Sequence, residues 1–351
     1  MKIFNKKRVF ALSAILMLNL FAVGVFAQPA IDTGTTPAAA DQANFVVTAI
    51  IPENQIDKRQ TYFDLRMEPG QTQVLQVNVT NKSSAEITVE VRVSNASTNR
   101  NGIIEYQAIV QPDESLKTPF DTIAKTQPQI TLKANESKMA EITVAMPENS
   151  FDGVLLGGIV FTKRNGDNHG SGVSINNQFS YVVGVKLSQT DAIIQPDFKL
   201  KAVTPLLVNH RNAVVADILN TAPLIIKDVS VDGQIYKKGG AQPVVSISKD
   251  RVEIAPNSVF PLPFEWDGNK IDPGEYQVNL KLSYNGKDFE WSRDFTVDGD
   301  TANEIHDATL NKPTEFWHRW WWVPVVIIGG VFLLWITFNL GKSSRKSDGR
   351  R

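Results

Sequence analysis

Residues 73–80 read QVLQVNVT. Leu75, Val77 and Val79 alternate with Gln76, Asn78 and Thr80, so one row of side chains is apolar and the other polar. Successive side chains of an extended chain point to opposite faces, and this period of two predicts a half-buried β-strand. The pattern recurs. Ile87, Val89, Val91 and Val93 alternate with Thr88, Glu90 and Arg92, and Tyr276, Val278, Leu280, Leu282 and Tyr284 with Gln277, Asn279, Lys281 and Ser283. Turns containing Gly or Asn precede strands in EPGQTQVLQVNVT, KANESKMAEITVAM and APNSVFPLPFEW. Away from the two ends, no helical stripe of comparable strength is present. Short strands punctuated this way argue for sandwiches. The expected fold is all-β: two immunoglobulin-like antiparallel β-sandwiches, over 44–163 and 177–298.

The ends carry a different signal. The stretch from Trp321 to Leu340 holds no charged residue, and about 18 apolar residues suffice to cross a bilayer as a helix. Trp320, Trp321 and Trp322 crowd its start, where aromatic rings favour the headgroup layer. The basic residues Lys342, Arg345, Lys346, Arg350 and Arg351 follow, a cluster normally kept in the cytoplasm. A transmembrane helix is therefore expected at 320–341, with a basic cytoplasmic tail at 342–351. At the other end, Lys2, Lys6, Lys7 and Arg8 precede an apolar run from Val9 to Ala27. Val25-Phe26-Ala27 suits cleavage, so 1–27 reads as a signal peptide; an uncleaved anchor would leave the orientation unchanged. The expected location is the cell membrane, single-pass type I, with the bulk of the chain outside. Residues 28–43 read as a flexible lead-in, 164–176 as a linker and 299–319 as a stalk.

The formal charge is −1. Removing the +4 of the leader and the +4 of the tail leaves the exterior near −9. An acidic exterior does not attract nucleic acid through its phosphates. There is no cysteine, which excludes a disulfide framework, a zinc–thiolate site and a cysteine nucleophile. Exported proteins of Gram-positive bacteria often avoid cysteine, and this compositional analogy favours such a source. No sorting signal of the LPxTG type is present.

Catalytic patterns are missing. The four histidines, His169, His210, His306 and His318, are not paired at metal-binding spacing, and HExxH, GxSxG, Walker and GxGxxG patterns are absent. Asp298-Gly299-Asp300 begins like a calcium loop. Asn303 then stands at the position of the required Gly and Thr309 at that of the closing Glu, so the EF-hand reading fails and only an irregular calcium site stays open. The reading is a binding protein without enzymatic activity or cofactor. Trp266 and Trp291 tempt as sugar-stacking rings, but each shares parity with apolar neighbours and reads as core, with Arg293 breaking the stripe beside Trp291. The stronger binding candidates are Asn95, Thr98, Asn99, Asn101 and Tyr106, gathered with Arg100 around an expected turn at Asn101-Gly102. Amides and hydroxyls there suit glycan hydroxyls or peptide groups; the bland alternative is a turn built from residues that turns favour.

Four stretches together resemble the WxL-interacting protein family of Gram-positive cell surfaces: VVTAIIPENQIDKRQTYFDLRMEPGQ, NASTNRNGIIEY, SLKTPFDTIAKTQPQITLKANES and SFDGVLLGGIVFTKR. The resemblance implies an N-terminal peptidoglycan-binding domain and a C-terminal domain binding host or extracellular-matrix proteins. It also implies association with WxL-domain surface proteins, and no catalytic residues. In the last stretch, Val154–Phe161 reads as a buried strand, the first domain's last. Its Gly157 and Gly158 predict a bulge, a close approach by another backbone, or an edge left open for a partner strand. The expected function is a membrane-anchored extracellular adaptor. Its rival is a carbohydrate-binding subunit or enzyme of an extracellular polysaccharide-processing complex.

Overall fold

A computed structural model describes residues 44–164, 179–266, 271–308 and 322–343. The leader, the lead-in, nearly all of the 164–176 linker, the second half of the expected stalk and almost all of the tail lie outside these residues. Within them, strands dominate and two sandwiches form.

In the first sandwich one sheet has the order β1-β3-β9-β7. Its strands are β1 (Phe45–Ile50), β3 (Thr72–Asn81), β9 (Ser137–Ala145) and β7 (Ala124–Thr126). The facing sheet has the order β2-β11-β10-β4-β8. It contains β2 (Phe63–Arg66), β11 (Ser180–Ser188), β10 (Leu155–Lys163), β4 (Ile87–Asn95) and β8 (Gln129–Leu132). The alternation at 73–80 does what period two demands. Leu75, Val77 and Val79 are fully buried, and join Phe45, Phe63, Phe120 and Phe161 in the core between the sheets. Each such side chain contributes about 1.5–3 kcal/mol by leaving water. A short helix α1 (Phe120–Ile123) delivers Phe120 into this core.

The second sandwich packs β12 (Phe198–Val208), β13 (Arg211–Asn220) and β16 (Ser258–Glu265) against a four-stranded sheet. That sheet is ordered β15 (Pro243–Ile254), β14 (Ile226–Lys237), β17 (Gly274–Tyr284), β18 (Lys287–Val297). Phe260, Phe264, Ile235, Val278 and Tyr276 fill its core. Trp266 and Trp291 are half-buried against that core, on the side their parity assigned. Arg293 has a use for its place in the stripe: its Nη1 donates to the carbonyls of Leu200 (3.1 Å) and Lys201 (2.9 Å), where β12 bulges.

The pairing corrects three expectations. First, Ser180–Ser188 belongs to the first sandwich, although the second was expected to begin at 177. This strand pairs antiparallel with β10 and parallel with β2, so the first sandwich is not wholly antiparallel. Second, β10 is not an end strand. It is paired on both sides, by β11 and β4, and offers no open edge at its glycines. Nor, among the described residues, does another backbone approach those glycines; side-chain rings lie over them instead, and a Cβ on Gly157 would fall 2.2 Å from the Phe120 ring and one on Gly158 2.8 Å from the Tyr106 ring. Third, the start of the expected stalk is a packed helix, α2 (Gly299–Asp307), whose Ala302 and Ile305 are buried. Asp298 caps it, accepting from the Thr301 backbone N–H at 2.8 Å and the Thr301 hydroxyl at 2.8 Å. The acidic triplet that began like a calcium loop is a helix start.

Trp322–Ser343 forms a 22-residue helix, α3. Among the described residues, no helix is long and apolar enough to cross a membrane. The side chains at 325, 334 and 337–343 of α3 lie outside those residues, and the anchor expected at 320–341 rests on its sequence.

Candidate binding cleft

Beyond Asn95 the chain leaves β4 and forms a two-stranded ribbon, β5 (Ser97–Thr98) and β6 (Ile104–Glu105). Asn99 organises the turn between them. Its Oδ1 accepts from the Asn101 and Ile103 backbone N–H groups at 3.0 and 3.2 Å, and its own carbonyl accepts from Gly102 at 2.9 Å. Gly102 has φ of 75°, and a Cβ there would meet Val252 of β15 at 2.8 Å. A side chain would be both strained and without room.

The ribbon reaches the second domain. The Thr98 hydroxyl lies 2.9 Å from the Ser258 hydroxyl and accepts from the Ala255 N–H at 2.9 Å. The Glu253 N–H donates to the Gly102 carbonyl at 2.8 Å. Beneath it, Ala96, Leu156 and Ala255 form a small apolar cluster flanked by Ile104, Tyr106, Val154 and Ile225. The loop after β6 makes a second bridge. Asp113 pairs with Lys201 of β12, and the Ser115 carbonyl accepts from Asn257 at 3.1 Å. Burial of Asp113 works against its charge, but bonds from Lys201 and Ser115 outweigh it and hold its pKa below the ordinary value.

Between the bridges lies a cleft of about 880 Å³. Side-chain amides and hydroxyls line much of it: Asn95, Asn99, Asn101 and Gln111 from the first domain, and Asn209, Asn257 and Ser258 from the second. Arg92, Arg100 and Lys201 are interspersed with Glu105, Asp113 and Asp121. Ile109, exposed at 87%, and Val110 form an apolar rim. Such a lining can bond many hydroxyls or peptide groups at once, and no catalytic pair stands out in it. Among the described residues no cluster of metal-ligating side chains is present.

Four of the five sequence candidates, Asn95, Thr98, Asn99 and Asn101, line this cleft. Their tasks differ. Asn101 is exposed at the turn, and Asn95 accepts from the Asp121 N–H at 3.3 Å at the opposite wall. Asn99 builds the turn, as its bland alternative had it, and Thr98 is buried in the inter-domain contact. Tyr106 is not among the lining residues. Its ring lies in a trough over Gly158 and Gly184, which face each other across β10 and β11. Burial pushes its phenol up to about 12, with smaller contributions from Tyr62 and Glu253. Sequence reading missed the second domain's share, Asn209, Asn257 and Ser258. Asn209 and Asn257 both sit at positive φ, 50° and 49°, which the chain alone does not announce.

The profile described as WxL Interacting Protein, peptidoglycan binding domain, matches residues 45–163. The profile described as WxL Interacting Protein, host binding domain, matches 170–307. The two-sandwich frame is thus that of a two-domain cell-surface binding protein, and the chain belongs to the WxL-interacting protein family. No curated protein matches the chain. Among solved structures, the class 5 fimbriae chaperone CfaA is 14% identical, over 72% of this chain and 98% of its own, with a TM-score of 0.27. The E. coli chaperone DraB is 16% identical (67% and 94% covered, TM-score 0.27), and the Pseudomonas aeruginosa CupB2 chaperone 13% (64% and 92%, TM-score 0.26). TM-scores this low carry nothing on function.

Proposed function

We propose that this protein is a membrane-anchored extracellular adaptor that binds peptidoglycan in the cleft between its two domains. In this reading the first domain also meets WxL-domain surface proteins, and the second presents a face to host or extracellular-matrix proteins. The observation that carries the reading is the amide-lined cleft of about 880 Å³ at the border of the domain matched as peptidoglycan-binding. Peptidoglycan offers hydroxyls, N-acetyl groups and peptide amides, and the cleft supplies complementary donors and acceptors. Trp266 and Trp291 are half-buried against the second core, which does not favour the polysaccharide-processing rival.

Anchoring is supported by the surface of α3. Val326, Ile327, Ile328, Val331, Phe332, Leu333 and Trp335 are each more than half exposed. Apolar side chains this bare favour lipid over water.

The test is co-sedimentation of the full-length chain, in detergent micelles, with purified peptidoglycan and separately with a WxL-domain protein. Retention by peptidoglycan is expected. Its absence at micromolar peptidoglycan repeat units would remove the cleft assignment, and failure of the chain to enter liposomes would remove the anchor.

A further inference from the structure

We propose that the edge of β1 left unpaired among the described residues is a strand-addition site for an extended, uncharged segment of another polypeptide. An edge strand exposes unpaired main-chain N–H and C=O groups, and folded proteins usually block such edges with charge, proline, bulges or shortness. Among the described residues, seven of the eight sheet edges of the two sandwiches are blocked in these ways. β2 and β8 have four residues each and β7 three. β16 carries Pro261 and Pro263, and β12 carries Pro205 and a bulge. β15 shifts register three times against β14, and β18 holds Lys287, Asp288, Glu290, Arg293 and Asp294. β1 reads FVVTAI: six residues, with no charge, no proline and no register shift against β3.

Its main-chain groups point the right way. The Lys82 N–H donates to the Asn44 carbonyl at 2.7 Å, in continuation of the β1–β3 register. Bonded pairs alternate along an antiparallel ladder, so Val46, Thr48 and Ile50 bond to β3, while Phe45, Val47 and Ala49 direct N–H and C=O to the open side. The side chains favour an apolar arrival on both faces. Val47 and Ala49 pack on the core yet remain half-exposed, and Val46 and Ile50 are 41% and 44% exposed on the outer face. A charged strand would lose hydration against these rows, so the segment is uncharged and alternates apolar side chains. Six residues of pairing fall far short of the roughly 1,200 Å² that a stable interface between folded bodies needs. They do suit an extended segment that binds through main-chain bonds, which favours that occupant over a second copy. The site is separate from the cleft and does not depend on it.

The probe is a fluorescein-labelled peptide copying Thr72–Asn81, a strand that β1 already accepts on its other edge. It is titrated onto the full-length chain in detergent micelles and followed by anisotropy. Saturable binding is expected, with slower hydrogen exchange at the Phe45, Val47 and Ala49 amides when the peptide is bound. Ala49→Pro removes an outward N–H and leaves the β3 bonds intact; it should weaken binding at least tenfold at an unchanged urea midpoint. Thr48→Lys, at an exposed position, should weaken it several-fold and serves if the proline variant fails to fold. Unsaturable binding, or equal binding by the variants, overturns the proposal. So does protection of the Phe45, Val47 and Ala49 amides in the chain alone, which would mean that its own residues cover the edge. A sedimenting dimer that Ala49→Pro dissolves overturns it in favour of a second copy.

Discussion

The hydroxyl of Thr98, in the first domain, lies 2.9 Å from that of Ser258, in the second, and both residues are buried. The Thr98 oxygen also accepts the Ala255 N–H. This small polar knot holds one wall of the cleft at the point where the two domains meet.

Thr98→Val keeps the shape of the side chain and removes the oxygen. The buried Ala255 N–H then has no acceptor from Thr98, which costs about 1–3 kcal/mol. A urea titration is expected to lose that much stability, whereas Thr98→Ser, which keeps the oxygen, should retain most of it. A loss in Thr98→Ser with none in Thr98→Val would mean that packing of the methyl group, and not the hydrogen bonds, fixes the contact.

Gly157→Ala places a methyl group where the Phe120 ring already stands, 2.2 Å away. Overpacking a filled core costs about 1–3 kcal/mol. The smaller side chain of Phe120→Leu should recover part of this in the double variant, although alone it destabilises. A double-mutant cycle measures that coupling. Strictly additive losses would contradict the contact.

Tyr106 holds its proton in the folded chain up to about pH 12, against 10.0 for a free phenol. Its folded pKa is raised, so its contribution to stability is intact below pH 10 and is lost as pH rises through about 12. Urea midpoints of the wild type should fall over that window, and those of Tyr106→Phe should fall less. Identical alkaline profiles would show that the ring is not held as tightly in the Gly158–Gly184 trough as its burial implies.

The strands were legible because burial on one face writes itself as alternation, as at Leu75, Val77 and Val79. Partnership was not. Val183, Val185 and Leu187 alternate like any strand, and nothing in their order tells which sheet receives them; pairing with β10 and β2 decides it. The glycine pair announced a close approach but could not name Phe120 or Tyr106, which lie 37 and 52 residues earlier in the chain. Asp298 carried a readable helix cap, hidden because the following helix has only nine residues. Of the candidate site, Asn95 and Asn101 fell at the cleft because polar residues beside a turn are placed where chain and solvent meet. Thr98 looked the same in sequence and is buried by a domain that sequence reading kept apart from it.

Peptidoglycan bound between the domains would depend on the cleft asparagines. The most direct measurement is the affinity of the full-length chain for purified peptidoglycan, compared with a variant carrying Asn95→Ala and Asn101→Ala, each protein first matched for urea midpoint. Binding by the wild type is expected, with at least a tenfold weaker affinity for the variant. Equal affinity at equal stability would contradict it and place the glycan on another surface of the first domain.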